Sequence, residues 1–373
     1  MSENWAITIG INNYRYLRSL SYAVCDADSL HELFKQELLF NRLYHFTDTS
    51  RPIIADYGKP LYSTPIFTSL KRFFDVRFQQ SFLSEEDNLW FFFAGHGARD
   101  DGQDYLIPSD GYLANLADTA IPVRYVRDRL RRSGAGNIIL LMDACRSSAS
   151  SRHGVGFGTE TQQGVITLYA CSPGEYSYEI KALQQGAFTH VLLTSLRLSG
   201  EANCATVERL HDRLRSTVPQ LTLRHGLAPQ TPYCVIEPST KRHLILLPKL
   251  ATKMDVVKLT ELALKAEIRQ DWPSAKQFWS RILAVPESAP EVRADAIEGI
   301  SRIAKQEVQP TPESATLDHG AAASKSATNN PPTPSPPVQS GPVRPDIKTS
   351  IASSALELQR IEPLPMQALV SDR

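Results

Sequence analysis

The chain has 373 residues, of which 42% are hydrophobic and 21% charged, with 40 basic residues against 40 acidic ones. That length suits one large domain plus a smaller module, and the composition is that of an ordinary globular protein. A formal net charge of zero removes any whole-chain electrostatic argument for a nucleic acid or an anionic membrane as partner, and neither is expected.

Residues 5–11 (WAITIGI) read as a buried strand, and residues 26–38 carry Leu30, Leu33, Phe34 and Leu38 at helical spacing. A short second strand is expected at 43–46. Residues 65–82 read as a helix with Ile66, Leu70, Phe73 and Phe74 on one side. The run at 88–94 (NLWFFFA) is too apolar to have a solvent face. Residues 123–132 are again helical. The basic run 127–132 lies there among acidic residues, as a solvated helix face would. Buried runs follow at 137–142 (NIILLM) and 164–170 (GVITLYA), then helices at 187–198 and 207–218. Residues 233–236 and 243–247 read as closing strands, with Pro248 ending the domain. Strands apolar on both faces, alternating with helices, predict an α/β fold with a mostly parallel sheet covered on both sides.

From about residue 254 the character changes. Residues 257–269 and 274–283 form a helix pair with Trp272 and Pro273 at the turn, and 290–304 supply a third helix. Ala263, Ala266, Trp272, Ala275, Phe278, Ile282 and Leu283 resemble a tetratricopeptide-type hairpin, although a single unit stands where that family stacks several. An ordinary small α-helical appendage over 254–305 fits equally. Residues 306–373 are rich in Pro, Ser and Thr and are expected to be disordered.

No stretch is apolar over the roughly 18 residues of a membrane span, and no basic start followed by an apolar run marks a signal peptide. The five cysteines are odd in number and scattered, without a CxxC pair. They predict free thiols in a reducing, cytoplasmic setting. No Cys or His pair has the spacing of a zinc site, so no metal is expected.

Chemistry gathers at two strand ends, where an open parallel sheet places function. The first is FFFAGHG over 91–97, with His96 between glycines; the second is LLMDACRSS over 140–148, with Cys145 just past a strand. An intervening helix at 123–132 would set these ends side by side. A thiol near its free pKa of about 8.5 is only a few per cent thiolate at neutral pH, and a neighbouring imidazole activates it and protonates the leaving amine. The backbone N–H groups of Gly97 and Cys145 are candidates for an oxyanion hole. The other cysteines, Cys25, Cys171, Cys204 and Cys234, lack a comparable His partner and read as structural.

The sequence Asp143-Ala144-Cys145-Arg146-Ser147, with His96 about 50 residues upstream, resembles the caspase signature. Asp in place of Gln resembles its metacaspase and orthocaspase branch. Further agreement covers roughly residues 4–248: AITIGINNY from 6, LSYAVCDA from 20, YLIPSD from 105, ITLYACS from 166 and GAFT from 186. The resemblance implies a caspase-haemoglobinase fold over 1–248, with a large-subunit-like part (1–147), a linker (148–163) and a small-subunit-like part (164–248). It implies a cysteine endopeptidase acting through Cys145 and His96. It also implies an S1 pocket lined by Asp143 and Asp26, selecting protein or peptide substrates with Arg or Lys at P1; Asp28 is the alternative if the register slips. Arg152 in the linker is a candidate processing site, cut by the enzyme itself or by an upstream activating protease or signalling complex in a stress or defence pathway.

Two departures stand out. Ala94 replaces the Ser that many metacaspases carry before Gly-His-Gly. Ser150, Ser151, Arg152 and His153 stand where calcium-dependent members carry acids. No cofactor is expected, calcium included. The competing reading is a catalytically silent caspase-like scaffold that recruits partners through its helical C-terminal region.

Overall fold

A computed structural model of the chain describes residues 2–54, 60–146, 165–200 and 203–307, with the backbone alone at 145, 146 and 307. In chain order the elements begin β1 (Asn4–Gly10), α1 (Ala23–Glu32, continued by a π-helical turn over Leu33–Glu37), β2 (Arg42–Phe46), α2 (Phe67–Arg77), β3 (Asn88–Asp100) and β4 (Gln103–Leu106). Next are α3 (Leu116–Thr119), β5 (Ile121–Pro122), α4 (Val123–Arg131), β6 (Asn137–Arg146), β7 (Val165–Tyr169), β8 (Glu179–Ile180) and β9 (Gln185–Gly186). The chain continues through α5 (Ala187–Leu196), α6 (Val207–Arg224), β10 (Tyr233–Ile236), α7 (Lys253–Ile268), α8 (Trp272–Leu283) and α9 (Pro290–Glu307).

The main sheet runs β10-β7-β6-β3-β1-β2, with β4 paired to β3 and β5 to β4. The pairs β1–β2, β1–β3, β3–β6 and β6–β7 are parallel, and β10 closes the sheet antiparallel to β7. Strand side chains alternate between faces, and here both faces are buried. Ile7, Ile9, Phe91, Phe93, Leu140 and Met142 pack with Leu70, Phe73 and Phe74 of α2 and Val126 and Leu130 of α4. Trp90, Phe92, Ile139, Leu141, Ile166 and Leu168 pack on the other side with Ala27 and Leu30 of α1, Phe188 and Leu192 of α5, and Leu210 and Leu214 of α6. This is the mostly parallel α/β sheet, covered on both faces, that the sequence predicts. Each such side chain contributes about 1.5–3 kcal/mol by leaving water, so the central strands form a rigid base for the loops at their carboxyl ends.

Several details differ from expectation. β3 does not stop at 94; it runs on through His96 to Asp100, because a tight turn returns the chain as β4 and a ladder pairs Gly97 with Leu106. Residues 243–247 do not make a strand. Ser239–His243 is a 3-10 turn, and Ile245 makes a single bridge to Thr206. The apolar run there joins two cores: Leu244, Leu246 and Leu247 face the sheet helices, while Ile245 packs into the C-terminal helices. α6 continues past 218, through Pro219, to Arg224. Arg127, expected on a solvated face, is buried at 4% exposure beside the α4 core residues, while Arg129 reaches back to Asp75 of α2.

α7, α8 and α9 pack in succession around Ala263, Ala275, Phe278, Trp279, Ile282, Ala296 and Ile303. Thr252 and Asp255 form a capping box at the start of α7, and Asp271 caps α8. Arg209 of α6 pairs with Asp255 at 2.8 Å, and Arg281 of α8 donates to the Thr240 carbonyl at 3.3 Å, so these helices rest on the sheet domain.

Candidate active site

The parallel register of β3 and β6 sets Ala94 opposite Asp143 and His96 opposite Cys145. Two motifs about 50 residues apart in sequence thus occupy the same level of adjacent strands, at the end where the sheet opens.

His96 is half-buried and held on three sides. Its backbone N–H donates to Tyr14 Oη at 2.7 Å, and the two rings lie 4.6 Å apart. Gly95 permits this approach, because a Cβ there would fall 2.6 Å from Tyr14 Oη. The imidazole Nε2 lies 2.7 Å from the Arg18 carbonyl oxygen. A carbonyl can only accept, so Nε2 carries the proton and Nδ1 holds the lone pair of the neutral ring. Burial pushes the His96 pKa below the usual 6.5, opposed by the bond to Arg18 and the charge of Glu179. Burial thus disfavours the imidazolium and favours the neutral ring that a proton acceptor must present.

A pair of buried aspartates lies beside these two residues. Asp26, in the first turn of α1, is 2% exposed, and Asp143 is 8% exposed. Between them sits Gly186: its N–H donates to both Asp26 oxygens at 3.1 Å, and a Cβ on it would lie 2.8 Å from Oδ2 of each aspartate. Asp143 accepts Ser177 Oγ–H and Thr189 Oγ1–H, both at 2.7 Å. Gln230 fixes Ser177 in turn, donating to its Oγ at 3.1 Å and to the Ala170 carbonyl at 2.9 Å. Burial, then the charge of Asp143, holds the Asp26 carboxyl well above the ordinary range. Burial likewise raises Asp143, although the Ser177 and Thr189 hydroxyls work against it. The ionised form of this pair is thus poorly solvated and disfavoured, and a cation brought against it would relieve that penalty.

The structure brings His96, Asp143 and the Cys145 backbone together through the sheet register, and Asp26 to Asp143 through Gly186. Gly97 lies in the same ladder, opposite Leu106 on one side and Arg146 on the other. Asp28 is directed elsewhere, its carboxylate 2.7 Å from His45 Nε2. Arg152 and the 148–163 linker lie outside the described residues, as does the 306–373 tail beyond 307. Cys171 and Cys204 are buried; Cys25 is exposed. Partial desolvation and the nearby Asp26 and Asp28 charges raise the Cys25 thiol despite its exposure, while burial raises Cys204 and takes Cys234 to about 12, which leaves all three poor in thiolate. Among the described residues no group of three His, Cys, Asp or Glu side chains is arranged to hold a metal ion, and no helix is long and apolar enough to cross a membrane.

Sequence reasoning missed Tyr14, the Arg18 carbonyl, Ser177, Glu179, Gly186, Thr189 and Gln230. Tyr14, Gly186 and Thr189 stood in stretches that carried the family resemblance, yet nothing local marked their roles. The rest act through contacts between segments far apart in sequence.

A sequence model of the caspase domain family matches residues 3–243. The chain belongs to the caspase domain family. A paracaspase from Dictyostelium discoideum is 27% identical over 154 residues, which cover 39% of this chain and 37% of that protein. The chain therefore spans well under half the length of that curated caspase relative. Among solved structures, the Drosophila initiator caspase Dronc is 15% identical, with a TM-score of 0.40 over 62% of this chain and 78% of its own. Caspase-1 from Spodoptera frugiperda is 13% identical, with a TM-score of 0.42 over 63% of this chain and 86% of its own. Residues 3–243 of the family match contain His96, Cys145, Asp26 and Asp143, and leave the three C-terminal helices outside the caspase domain.

Proposed function

We propose that this caspase domain protein is a cysteine endopeptidase that hydrolyses peptide bonds after arginine or lysine. The observation that carries the reading is the buried pair Asp26 and Asp143 bracketing Gly186, with Asp143 two residues before Cys145. Two carboxyl groups held out of water are stable in their charged form when a cation joins them. A guanidinium suits the pair because it is planar and binds a carboxylate bidentately. An aspartate side chain would be repelled.

In the reaction Nδ1 of His96 takes the proton of the Cys145 thiol, and the sulfur adds to the scissile carbonyl carbon. The Gly97 and Cys145 amides receive the oxyanion. With Nε2 committed to Arg18, Nδ1 of His96 is the atom that moves protons. It passes one to the departing amine as the tetrahedral intermediate collapses to a thioester. Water then attacks the thioester, giving its proton to Nδ1, and the thiol is released with the carboxylate product. No organic cofactor or metal enters this scheme. Cleavage near Arg152, by this enzyme or by an upstream protease, serves as the activating step, and protein substrates are the partners.

The test uses the full-length protein and fluorogenic peptides with Arg or Lys at P1. Cys145→Ala and His96→Ala should each lower turnover by at least about 1000-fold. Hydrolysis that survives Cys145→Ala would overturn the reading. Intact mass after incubation, wild type against Cys145→Ala, decides self-cleavage: identical masses exclude it.

A further inference from the structure

Glu179 opens β8, between Ser177, which bonds Asp143, and Gly186, which bonds Asp26. An acid in that place invites assignment to the basic side-chain pocket, but its contacts point elsewhere. Its two carboxylate oxygens accept the Ser21 amide at 3.0 Å each, and Oε1 accepts the Tyr22 amide at 2.6 Å. Tyr22 is the residue before α1, and that helix has no side-chain cap of its own. Glu179 therefore supplies, from a distant segment, the acceptor and negative charge that the start of a helix favours.

The same 11–22 segment holds His96. Tyr14 Oη accepts the His96 amide, and the Arg18 carbonyl accepts Nε2–H. Inside the segment, Leu20 N–H bonds the Asn12 carbonyl at 2.8 Å, Asn12 Nδ2 donates to the Ser21 carbonyl at 3.1 Å, and Asn12 Oδ1 accepts Val24 N–H at 3.0 Å. These bonds close 12–22 into one loop, clamped by Glu179 three residues after the carbonyl that orients the imidazole.

We propose that Glu179 is a positioning residue for His96: by holding the Ser21 and Tyr22 amides it fixes the loop whose Arg18 carbonyl orients the imidazole. The acid–base group is thereby tied to the β8–β9 segment that also contacts Asp26 through Gly186. The catalytic consequence rests on the peptidase reading; the geometric one does not.

Two measurements on the full-length protein test it. In the Cys145→Ala background with ¹⁵N-labelled histidine, NMR should show His96 locked as the Nε2–H tautomer. Glu179→Ala should release it to an averaged tautomer. Glu179→Gln, whose amide oxygen still accepts an N–H, should keep it. Glu179→Asp retains the charge but shortens the reach, and should behave like Ala. In the active protein, Glu179→Ala should lower kcat by about 30-fold or more, as misplacement of a reacting group does, with KM for an Arg substrate nearly unchanged. Glu179→Gln should recover most of that loss. The proposal is overturned if Glu179→Ala keeps the locked tautomer and raises KM alone, or if Asp substitutes fully while Gln does not, which would make the pocket charge its role. Should the parent hydrolyse no peptide, the peptidase reading fails, while the tautomer measurement still decides the positioning role. If Glu179→Ala does not fold, the contrast between Gln and Asp decides alone.

Discussion

Replacing Gly186 by alanine probes the proposed site for a basic P1 side chain with one carbon atom. The new Cβ would lie 2.8 Å from Oδ2 of Asp26 and of Asp143. Unstrained non-bonded contact needs about 3.5 Å, so each carboxylate must retreat by roughly 0.7 Å or Gly186 must move. Either shift pulls the Gly186 amide away from Asp26, which now receives it on both oxygens. A hydrogen bond to a charged group is worth about 1.5–3 kcal/mol. If the pocket loses that much preorganisation for a P1 cation, kcat/KM for an Arg substrate falls about 10- to 150-fold. The backbone tolerates the change, since Gly186 has φ −64 and ψ 140, open to any residue. The smaller entropy of the unfolded chain offsets part of the crowding, by about 0.4–1 kcal/mol. The assay is steady-state hydrolysis of Arg-P1 peptides alongside thermal unfolding. The predicted result is a large loss in kcat/KM with Tm within a few degrees of wild type. Wild-type kcat/KM in a folded Gly186→Ala protein would refute the claim that Asp26 and Asp143, as Gly186 holds them, bind the P1 side chain.

Asp143→Asn should lower kcat/KM for Arg substrates by at least about 100-fold, because a bound guanidinium loses half of its buried counter-charge. The same variant should unfold at a higher temperature at neutral pH. Both carboxyls are raised above their unfolded values, so the penalty they impose is absent below about pH 4 and grows as pH rises through their folded pKa values; the Tm gap should close toward pH 4. For the wild type, KM for an Arg substrate should rise as pH falls and the pair is protonated, whereas the acid limb of kcat should sit below 6.5 because burial lowers the His96 pKa. KM that stays flat down to pH 4 would contradict the first half of that prediction. Calcium chelation should leave turnover unchanged: Asp104, near the Asp100–Asp101 turn after His96, is engaged by Arg99 at 3.4 Å. Inhibition by a chelator that added calcium reverses would show otherwise.

The sheet could be read from the chain because burial on both faces leaves runs such as 88–94 and 137–142 with almost no polar residue. The helices α1, α2, α4 and α5 followed from apolar spacing. What could not be read was where a strand outlasts its apolar run: β3 continues through Gly95, His96 and Gly97 because β4 pairs with it, and that partner lies downstream. Residues 243–247 misled for the opposite reason, since an apolar stretch joining two cores has the composition of a strand without its ladder. At the site, Cys145, His96, Asp143 and Asp26 were accessible because glycines, strand ends and family motifs mark them. The supporting atoms were not. The Arg18 carbonyl has no side-chain signature, and Ser177, Thr189, Gln230 and Glu179 are ordinary polar residues until the fold brings them to Asp143 and α1. Burial of a carboxyl group of the kind seen at Asp26 is likewise a property of packing rather than of residue type.

The most direct test is the cleavage profile of the full-length protein on a diverse peptide library, with Cys145→Ala as control. The account predicts cuts that depend on Cys145 and carry Arg or Lys at P1, almost to the exclusion of other residues. Cys145-dependent cuts after Asp, or with no preference at P1, would contradict it.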